Sequence, residues 1–564
     1  MSPALMIDSH FHIFTQDTST PEKRAERAEQ VRRDVCSRGV EQVCLIGLTG
    51  STPAEARGHN QRVASFVDEH PDIFHGWARV DPTWGEDAVV EFRRAIEEDG
   101  LIGLKLYADA KLDDPVVEPL AEAAVDMDVP IISHVAHRTE VYEGKPLEST
   151  DENVRALAES FPNLLLISGH IGGGGQWERR IKNIAPVENV YLDTSGSVTQ
   201  AGMIEMAAEY LGVDRLVFGT DTWFLSGLGK LEGVDLEPEE KARIGYRMNE
   251  LLNDGVENKL TDEEVDAGIE RATKRFAELD TPRKEEIVDA NAFVGHYPFR
   301  NIDASPSGLL ERMDRKGVDR AIVSSMHSLL YKNPHSGNEE LAEAIDGYED
   351  RLIPFATLDP TYPAWETDLE MCLDKLGMHG VKLLPAYHDY DLGDDAVVRL
   401  FEQCTEHDVP VMIAAPLEDQ RGRHPRIEFR DFEGANAGKH WSGDQVSGLI
   451  DSLSAAPEAD VIICNVTPTA AGRILEAVTE SYEDGPRLQN LVRSGATLFA
   501  IDDMRMFWPN DGETILSNVG VEHLVCAPRF PMRVFDSHHH VRHLDIDRSA
   551  KDRIRSGNVL ELLE

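Results

Sequence analysis

The heptapeptide MIDSHFH places His10 and His12 two residues apart, with Asp8 two residues before them. On a strand, alternate side chains share a face, so both imidazoles project the same way and can share one divalent ion. Neutral imidazole suits zinc and its borderline neighbours, and a catalytic site keeps one coordination position open for water. A pair of histidines alone would also fit an ordinary polar surface, but three further residues join it. IISHVAH carries His134, LLISGHIGGGG carries His170 and LVFGTDTWF carries Asp221, each at the end of a short apolar run. An ion held there would bring the pKa of water toward neutrality; Asp221 could take that water's proton and His170 could answer charge building on a substrate.

These residues need strands to position them. The first half alternates Val-, Ile- and Leu-rich runs with longer amphipathic stretches, the pattern of repeated strand–helix units and a parallel sheet. Strands are expected near 5–8, 42–48, 75–80, 101–106, 129–134, 164–169, 189–193 and 216–220. Eight such units make a (β/α)8 barrel, whose chemistry sits at the carboxyl ends of its strands, where all of these candidates fall. The glycine run Gly172–Gly175 matches no phosphate-binding spacing and reads as a turn that lets backbone pass close to the site.

The second half repeats the order. FHGWARVDPTW (74–84) returns as LIPFATLDPTY (352–362), Asp8 corresponds to Asp289 in IVDANAF, and RIGYRMNELL (243–252) to RIRSGNVLELL (553–563). The chain is therefore expected to hold two tandem (β/α)8 TIM barrels, residues 1–284 and 285–564, arising by duplication. Between them TDEE (261–264) spells a capping box, followed by Val265, Ile269, Phe276 and Leu279 at helical spacing, which predicts an appended helix.

The ordered set H-x-H, His, His and Asp on strands one, five, six and eight resembles the amidohydrolase superfamily, more closely its amidohydrolase-2 branch of decarboxylases and lactone hydrolases. The resemblance covers the first half. It implies that His10, His12, His134 and Asp221 are metal ligands, with one divalent ion, Zn2+ before Mn2+ or another transition metal, and that His170 handles protons beside it, His170 and Asp221 being the catalytic pair. It implies a hydrolase acting on a C–N or C–O bond of a small molecule, with non-oxidative decarboxylation of an aromatic or semialdehyde carboxylate as the alternative. Lys105 in GLKLY stands where some binuclear relatives carry a bridging lysine; because Lys382 repeats it in a copy without ligands, it reads better as an anion-binding or structural lysine. Arg79 and Arg138 are further candidates for pairing a substrate carboxylate.

In the second copy His10 becomes Asn291, His12 becomes Phe293, His134 becomes Ala414, the strand-six histidine becomes Asn465 or Val466, and Asp221 falls at Pro528. Amide and apolar side chains do not hold a divalent ion in place of imidazole and carboxylate, so this barrel is expected to lack the metal and to serve the first by packing and stability. FDSHHHVRH (535–543) imitates the first motif through Asp536, His538 and His540, with His388 and His424 as possible companions, but it follows the eighth strand. The reading from another class, a binding or scaffold protein with a vestigial site, conflicts with five intact site residues in the first copy.

Composition bounds the rest. With 102 acidic against 56 basic residues, and a net charge of −46, the chain is a poor partner for nucleic acid. Only 16 of the basic residues are Lys, an acid-rich and lysine-poor balance that reads as adaptation to high salt. Six scattered cysteines without a C-x-x-C pair, no apolar run of membrane length and no secretory leader make a soluble cytoplasmic protein the expectation. If the charge is a salt adaptation, the melting temperature should climb steeply between dilute buffer and about 1 M salt, where the screening length falls to roughly 3 Å. A flat melting temperature across that range would remove this reading.

Overall fold

The computed structural model describes residues 6–12, 18–139, 143–253, 261–279, 285–414, 416–417, 421, 424, 441–483, 495–501, 511–533 and 537–564. The chain divides into two compact units, one spanning Met1–Thr281 and the other beginning at Pro282.

In the first unit eight strands follow in sequence: β1 (Ile7–His12), β2 (Gln42–Ile46), β3 (Phe74–Arg79), β4 (Leu104–Leu106), β5 (Ile131–His134), β6 (Leu166–Gly169), β7 (Val190–Asp193) and β8 (Leu216–Val217). Each pairs in parallel with the next. The barrel closes where the Ser9 N–H donates to the Phe218 carbonyl at 3.0 Å and the Asp221 N–H to the His10 carbonyl at 2.7 Å. Strand β1 runs to His12, beyond the expected 5–8, and its register on β2 shifts between Asp8 and Phe11, so His10 lies in an irregular stretch rather than in strict alternation.

Local chemistry sets where helices begin. Thr-Pro at 20–21 and 52–53 opens a helix each time, the threonine hydroxyl accepting from the Lys23 and Glu55 N–H groups and proline occupying the first turn, where its missing N–H costs nothing. Inside the barrel Ile7, Cys44, Trp77, Ile132, Ile167 and Val217 form one buried cluster, and Met248 and Leu251 from the helix Pro238–Asn253 pack against it. The Thr261–Glu264 capping box forms, with reciprocal bonds at 2.9 and 3.3 Å, and starts the helix Asp262–Leu279. Ala272 and Phe276 are buried on it, and Arg275 reaches Glu232 at 3.1 Å.

The second unit repeats this order in nine segments: β9 (Val288–Val294), β10 (Arg320–Ser325), β11 (Leu352–Pro354), β12 (Ala356–Thr357), β13 (Val381–Leu383), β14 (Val411–Ile413), β15 (Val461–Ile463), β16 (Thr497–Ile501) and β17 (Leu524–Cys526). The third strand position is split at Phe355: β11 pairs with β10, and β12 pairs with β13. Two sheets of three and six strands thus occupy the eight positions of the first unit's single sheet. The register shift of β1 recurs between the pairs Asp289–Ala321 and Ala292–Val323. All six cysteines are free, and among the described residues no helix is long and apolar enough to cross a membrane.

Asp8 joins the barrel's two ends. Its buried carboxylate accepts from the His10 N–H and the Thr220 N–H, each at 3.0 Å, and from the Thr220 hydroxyl at 2.5 Å. Asp8→Ala strands three buried donors, each costing about 1–3 kcal/mol. A loss of at least ~3 kcal/mol in denaturant unfolding is expected; a change below ~1 kcal/mol would show that the seam does not depend on this carboxylate.

Candidate metal centre

The candidate residues meet at the carboxyl ends of the strands. His10 ends fully buried near the rim of β1, and its Nδ1 lies 2.7 Å from Asp193 Oδ2 at the end of β7. Asp193 is the centre's main acceptor: its Oδ1 also takes the His170 N–H at 2.6 Å, the Ser195 N–H at 3.0 Å and the Ser195 hydroxyl at 2.6 Å. The sequence reading missed it, although VYLDTSG closes an apolar run with a carboxylate just as LVFGTDT does.

His170 and Asp221 follow β6 and β8 in left-handed backbone, at φ 65° and 56°, and Thr222 follows at 69°. Such conformations are costly for residues other than glycine and are found where surroundings hold them in place. Here Arg180 does so beneath His170: fully buried, it donates to the carbonyls of His170 and Gly169 and to the Ser168 hydroxyl. The glycine run then passes in close contact. A side chain at Gly173 would meet the Val135 carbonyl oxygen at 2.2 Å, and one at Gly172 would meet Val198 at 2.3 Å.

Donor atoms of His10, His170 and Asp221 lie within 4.8 Å of one another. His12 joins through Nε2, 3.2 Å from Asp221 Oδ1, and the His10 and His12 ring centres are 5.2 Å apart. His134 enters by another route: its Nδ1 is 2.8 Å from His170 Nε2, and its Nε2 is 2.7 Å from Glu148 Oε1. Glu148 was not a sequence candidate. Arg138 is committed to it, Nε to Oε2 at 2.8 Å and Nη2 to Oε1 at 3.1 Å. Lys105, also buried, places Nζ 2.8 Å from His10 Nε2. Arg79, at the end of β3, donates from Nη1 to the Gly47 carbonyl and faces the Tyr107 ring.

Burial governs the protonation states. It pushes His12 down to about 3 and His134 down to about 4, and carries His170 well below its ordinary range, His134 and His10 adding to the effect. It lowers Lys105 to about 7. Burial alone would raise the carboxyls, but His12 and His10 outweigh it at Asp221, the His10 ring and Ser195 at Asp193, and His134 with Arg138 at Glu148, which falls to about 2. Neutral imidazoles beside ionised carboxylates are the donor forms that a divalent transition ion requires, so the residues present fit one.

A second cluster, His137, Asp151 and Glu152, is internally satisfied: Asn183 donates to Asp151 and Arg179 to Glu152 at the start of the helix Asp151–Ser160.

Strand registers give the second unit's counterparts. Asn291, Phe293 and Ala414 stand for His10, His12 and His134, as the sequence alignment has it. Asn465, at φ 62°, takes the place of His170, which decides between Asn465 and Val466. Asp221 is replaced by Arg529, at φ 61°, and not by Pro528; the sequence alignment is one residue off because nothing marks where β17 ends. Asp193 is replaced by Ala500. Lys382 remains, bonded to Asn291 Oδ1 at 2.5 Å and lying 3.7 Å from the centre of the Phe293 ring. Asp536 lies outside the described residues. His538 and His540 are buried on the helix Ser537–His543, His388 bonds to the Ser328 carbonyl, and His424 packs on Phe299. Among the described residues no group of three metal-type donors converges in this unit.

The family model described as Amidohydrolase matches the chain twice, over residues 7–267 and 265–463. No curated protein matches it. Similar solved structures include a putative amidohydrolase from Staphylococcus aureus (19% identity, 44% of this chain and 98% of that one, TM-score 0.35) and 5-carboxyvanillate decarboxylase from Sphingomonas paucimobilis (18%, 43% and 96%, 0.34). A dihydroxybenzoic acid decarboxylase from Polaromonas sp., solved with manganese and 2-nitroresorcinol, is 20% identical over 45% of this chain and 97% of that one, with TM-score 0.34.

The depressed imidazole values fix a pH dependence for the metal-free protein. A histidine whose folded pKa lies below its unfolded value adds stability above about 6.5 and loses it as pH falls toward the folded value, here about 4 for His134 and about 3 for His12. After chelation the melting temperature should therefore fall between pH 7 and pH 4, and fall less in His134→Gln. Identical pH profiles for the two proteins would refute the assignment of buried neutral His134.

Proposed function

Because this chain belongs to the amidohydrolase family, we propose that its first unit is a mononuclear metal-dependent hydrolase, acting on a C–N or C–O bond of a small organic substrate. His10, His12, His134 and Asp221 would hold the ion, zinc before manganese. When bound, such an ion supplies water acidified toward neutrality and a positive charge for a substrate oxygen. The remaining work falls to the chain itself. Asp221, held ionised among imidazoles, takes a proton on its carboxylate. His170 gives or takes one at a ring nitrogen, and Glu148, 2.7 Å from His134 Nε2 and bonded by Arg138, orients the His134 ring beside it. Ser195 fixes His170 from the other side, 3.0 Å from its Nδ1. The convergence of donor atoms of His10, His170 and Asp221 within 4.8 Å of one another, with His12 Nε2 3.2 Å from Asp221, carries the reading.

The same histidine, His170, would serve decarboxylation, in which a proton must replace the departing carboxylate on carbon. Asn291, Phe293, Ala414, Asn465 and Arg529 support a second unit without metal chemistry of its own, retained after a duplication. The acidic composition supports a salt-adapted protein.

Elemental analysis should find about one divalent ion per chain, lost in the His10→Ala, His12→Ala double variant. Asp221→Asn should abolish turnover with modest loss of metal, and His170→Ala should keep the ion while kcat falls about 10²-fold or more. A screen of lactones, amides and aromatic carboxylates, read by acid release and by CO2 release, separates the two reactions. Two ions per chain, or His170→Ala emptying the site with activity per ion unchanged, would overturn these roles.

A further inference from the structure

Lys105 and Lys382 hold the same strand position in the two units, yet different groups gather round them. In the first unit the charge of Lys105 reaches His134, His170, Asp193 and Asp221. The second unit has Ala414, Asn465, Ala500 and Arg529 at those four positions. Two side chains are thereby cut back to a methyl group, and of the two carboxylates one is lost and the other replaced by a guanidinium. Where the first unit offers imidazole and negative charge to a cation, the second gathers positive charge.

The surroundings of Lys382 are apolar. It is fully buried, and the Phe293 ring and Cys464 next to it belong, with Ala414, Ala500 and Ala527, to one buried cluster. Its ammonium donates to Asn291 Oδ1 at 2.5 Å, and among the described residues no carboxylate oxygen comes within 4.0 Å of it. Asp289 acts on it from further away, with its carboxyl turned to the N–H groups of Asn291 at 2.8 Å and Phe530 at 3.3 Å, and burial lifts that carboxyl to about 7. Arg529, also buried, lies close enough to repel the Lys382 ammonium, and burial together with that repulsion lowers Lys382 to about 7. Asn291 spends its amide N–H on Cys464 Sγ, a weak acceptor, at 3.4 Å. Two like charges in a low-dielectric interior are costly, and an anion between them turns their repulsion into attraction on both sides.

We propose that the second unit binds a small oxyanion at the strand ends that correspond to the first unit's metal centre, held by the Lys382 ammonium, the Arg529 guanidinium and the Asn291 amide. A planar guanidinium suits two oxygens of such an anion and the ammonium a third, and the room for it is that left by the side chains missing at Ala414 and Ala500. Phe299 and Tyr387, half-buried in the segments after β9 and β13, pack on the same apolar cluster, so an organic oxyanion would find a wall for its body there. On this reading the second unit is a binding module whose centre has changed sign. It stands whatever reaction the first unit performs.

The test uses full-length protein, with sulfate and benzenesulfonate as probes because neither titrates near neutrality, each followed by calorimetry at constant ionic strength. Lys382→Met and Arg529→Asn should each weaken sulfate binding about tenfold or more, with the metal content unchanged. The His10→Ala, His12→Ala double variant should keep that binding, which separates it from any anion held by the first unit's ion. Sulfate should also raise the melting temperature of wild type, and not that of Lys382→Met. Lys382→Met sets an apolar chain of similar length among apolar neighbours, and asparagine suits the left-handed backbone at 529, so either variant tests the site if the other fails to fold. Benzenesulfonate binding tighter than sulfate assigns the site to an organic oxyanion, and equal binding to a bare one. Sulfate binding that is absent from wild type, unchanged in Lys382→Met or Arg529→Asn, or abolished in the double variant overturns the proposal.

Discussion

One carboxylate organises the centre. Asp193 receives the His10 ring, the His170 and Ser195 backbone amides and the Ser195 hydroxyl, so a single fully buried group ties strands β1, β6 and β7 to each other. An unpaired charge buried so deeply would be prohibitive, and four donors make it tolerable. They also fix consequences. With Nδ1 turned to Asp193, His10 directs Nε2 toward Asp221 and Lys105, and His170 is held in a backbone conformation it would otherwise avoid.

The two units separate what the barrel needs from what the chemistry needs. Both keep the aspartate of the first strand, the bulge after it, the strand-four lysine bonded to the first-strand side chain, and left-handed residues after strands six and eight. The second has Ala500 in place of Asp193. Features common to both are those that closing a barrel and shaping its rim demand. The imidazoles at positions 10, 12, 134 and 170, with Asp193 and Asp221, have no like residue at the corresponding positions of the second unit.

Much of this was legible in the sequence because barrel strands end at their chemistry. His10, His12, His134, His170 and Asp221 could be found as polar residues closing apolar runs, and the repeat made the two-barrel architecture visible. Asp193 closes a run in the same way, yet one aspartate among 102 acidic residues carries little signal without a partner in view. Glu148 was harder still, since it lies in a loop and acts through His134 and Arg138, contacts that only folding creates. The split at Phe355 and the one-residue offset at Arg529 share a cause: short buried strands have no side-chain pattern to mark their ends.

Arg529 constrains what the second unit could become. Placing histidines at Asn291, Phe293 and Ala414 would give this unit imidazoles at the first unit's positions, but it would leave a guanidinium at the position that Asp221 holds there. A fixed positive charge there repels a cation that such ligands would attract. Building a metal site into this unit therefore has an order imposed on it: position 529 must change sign before an added histidine becomes useful. Until then an imidazole added at this rim would lack the carboxylate partner that Asp221 gives to His10 and His12 in the first unit.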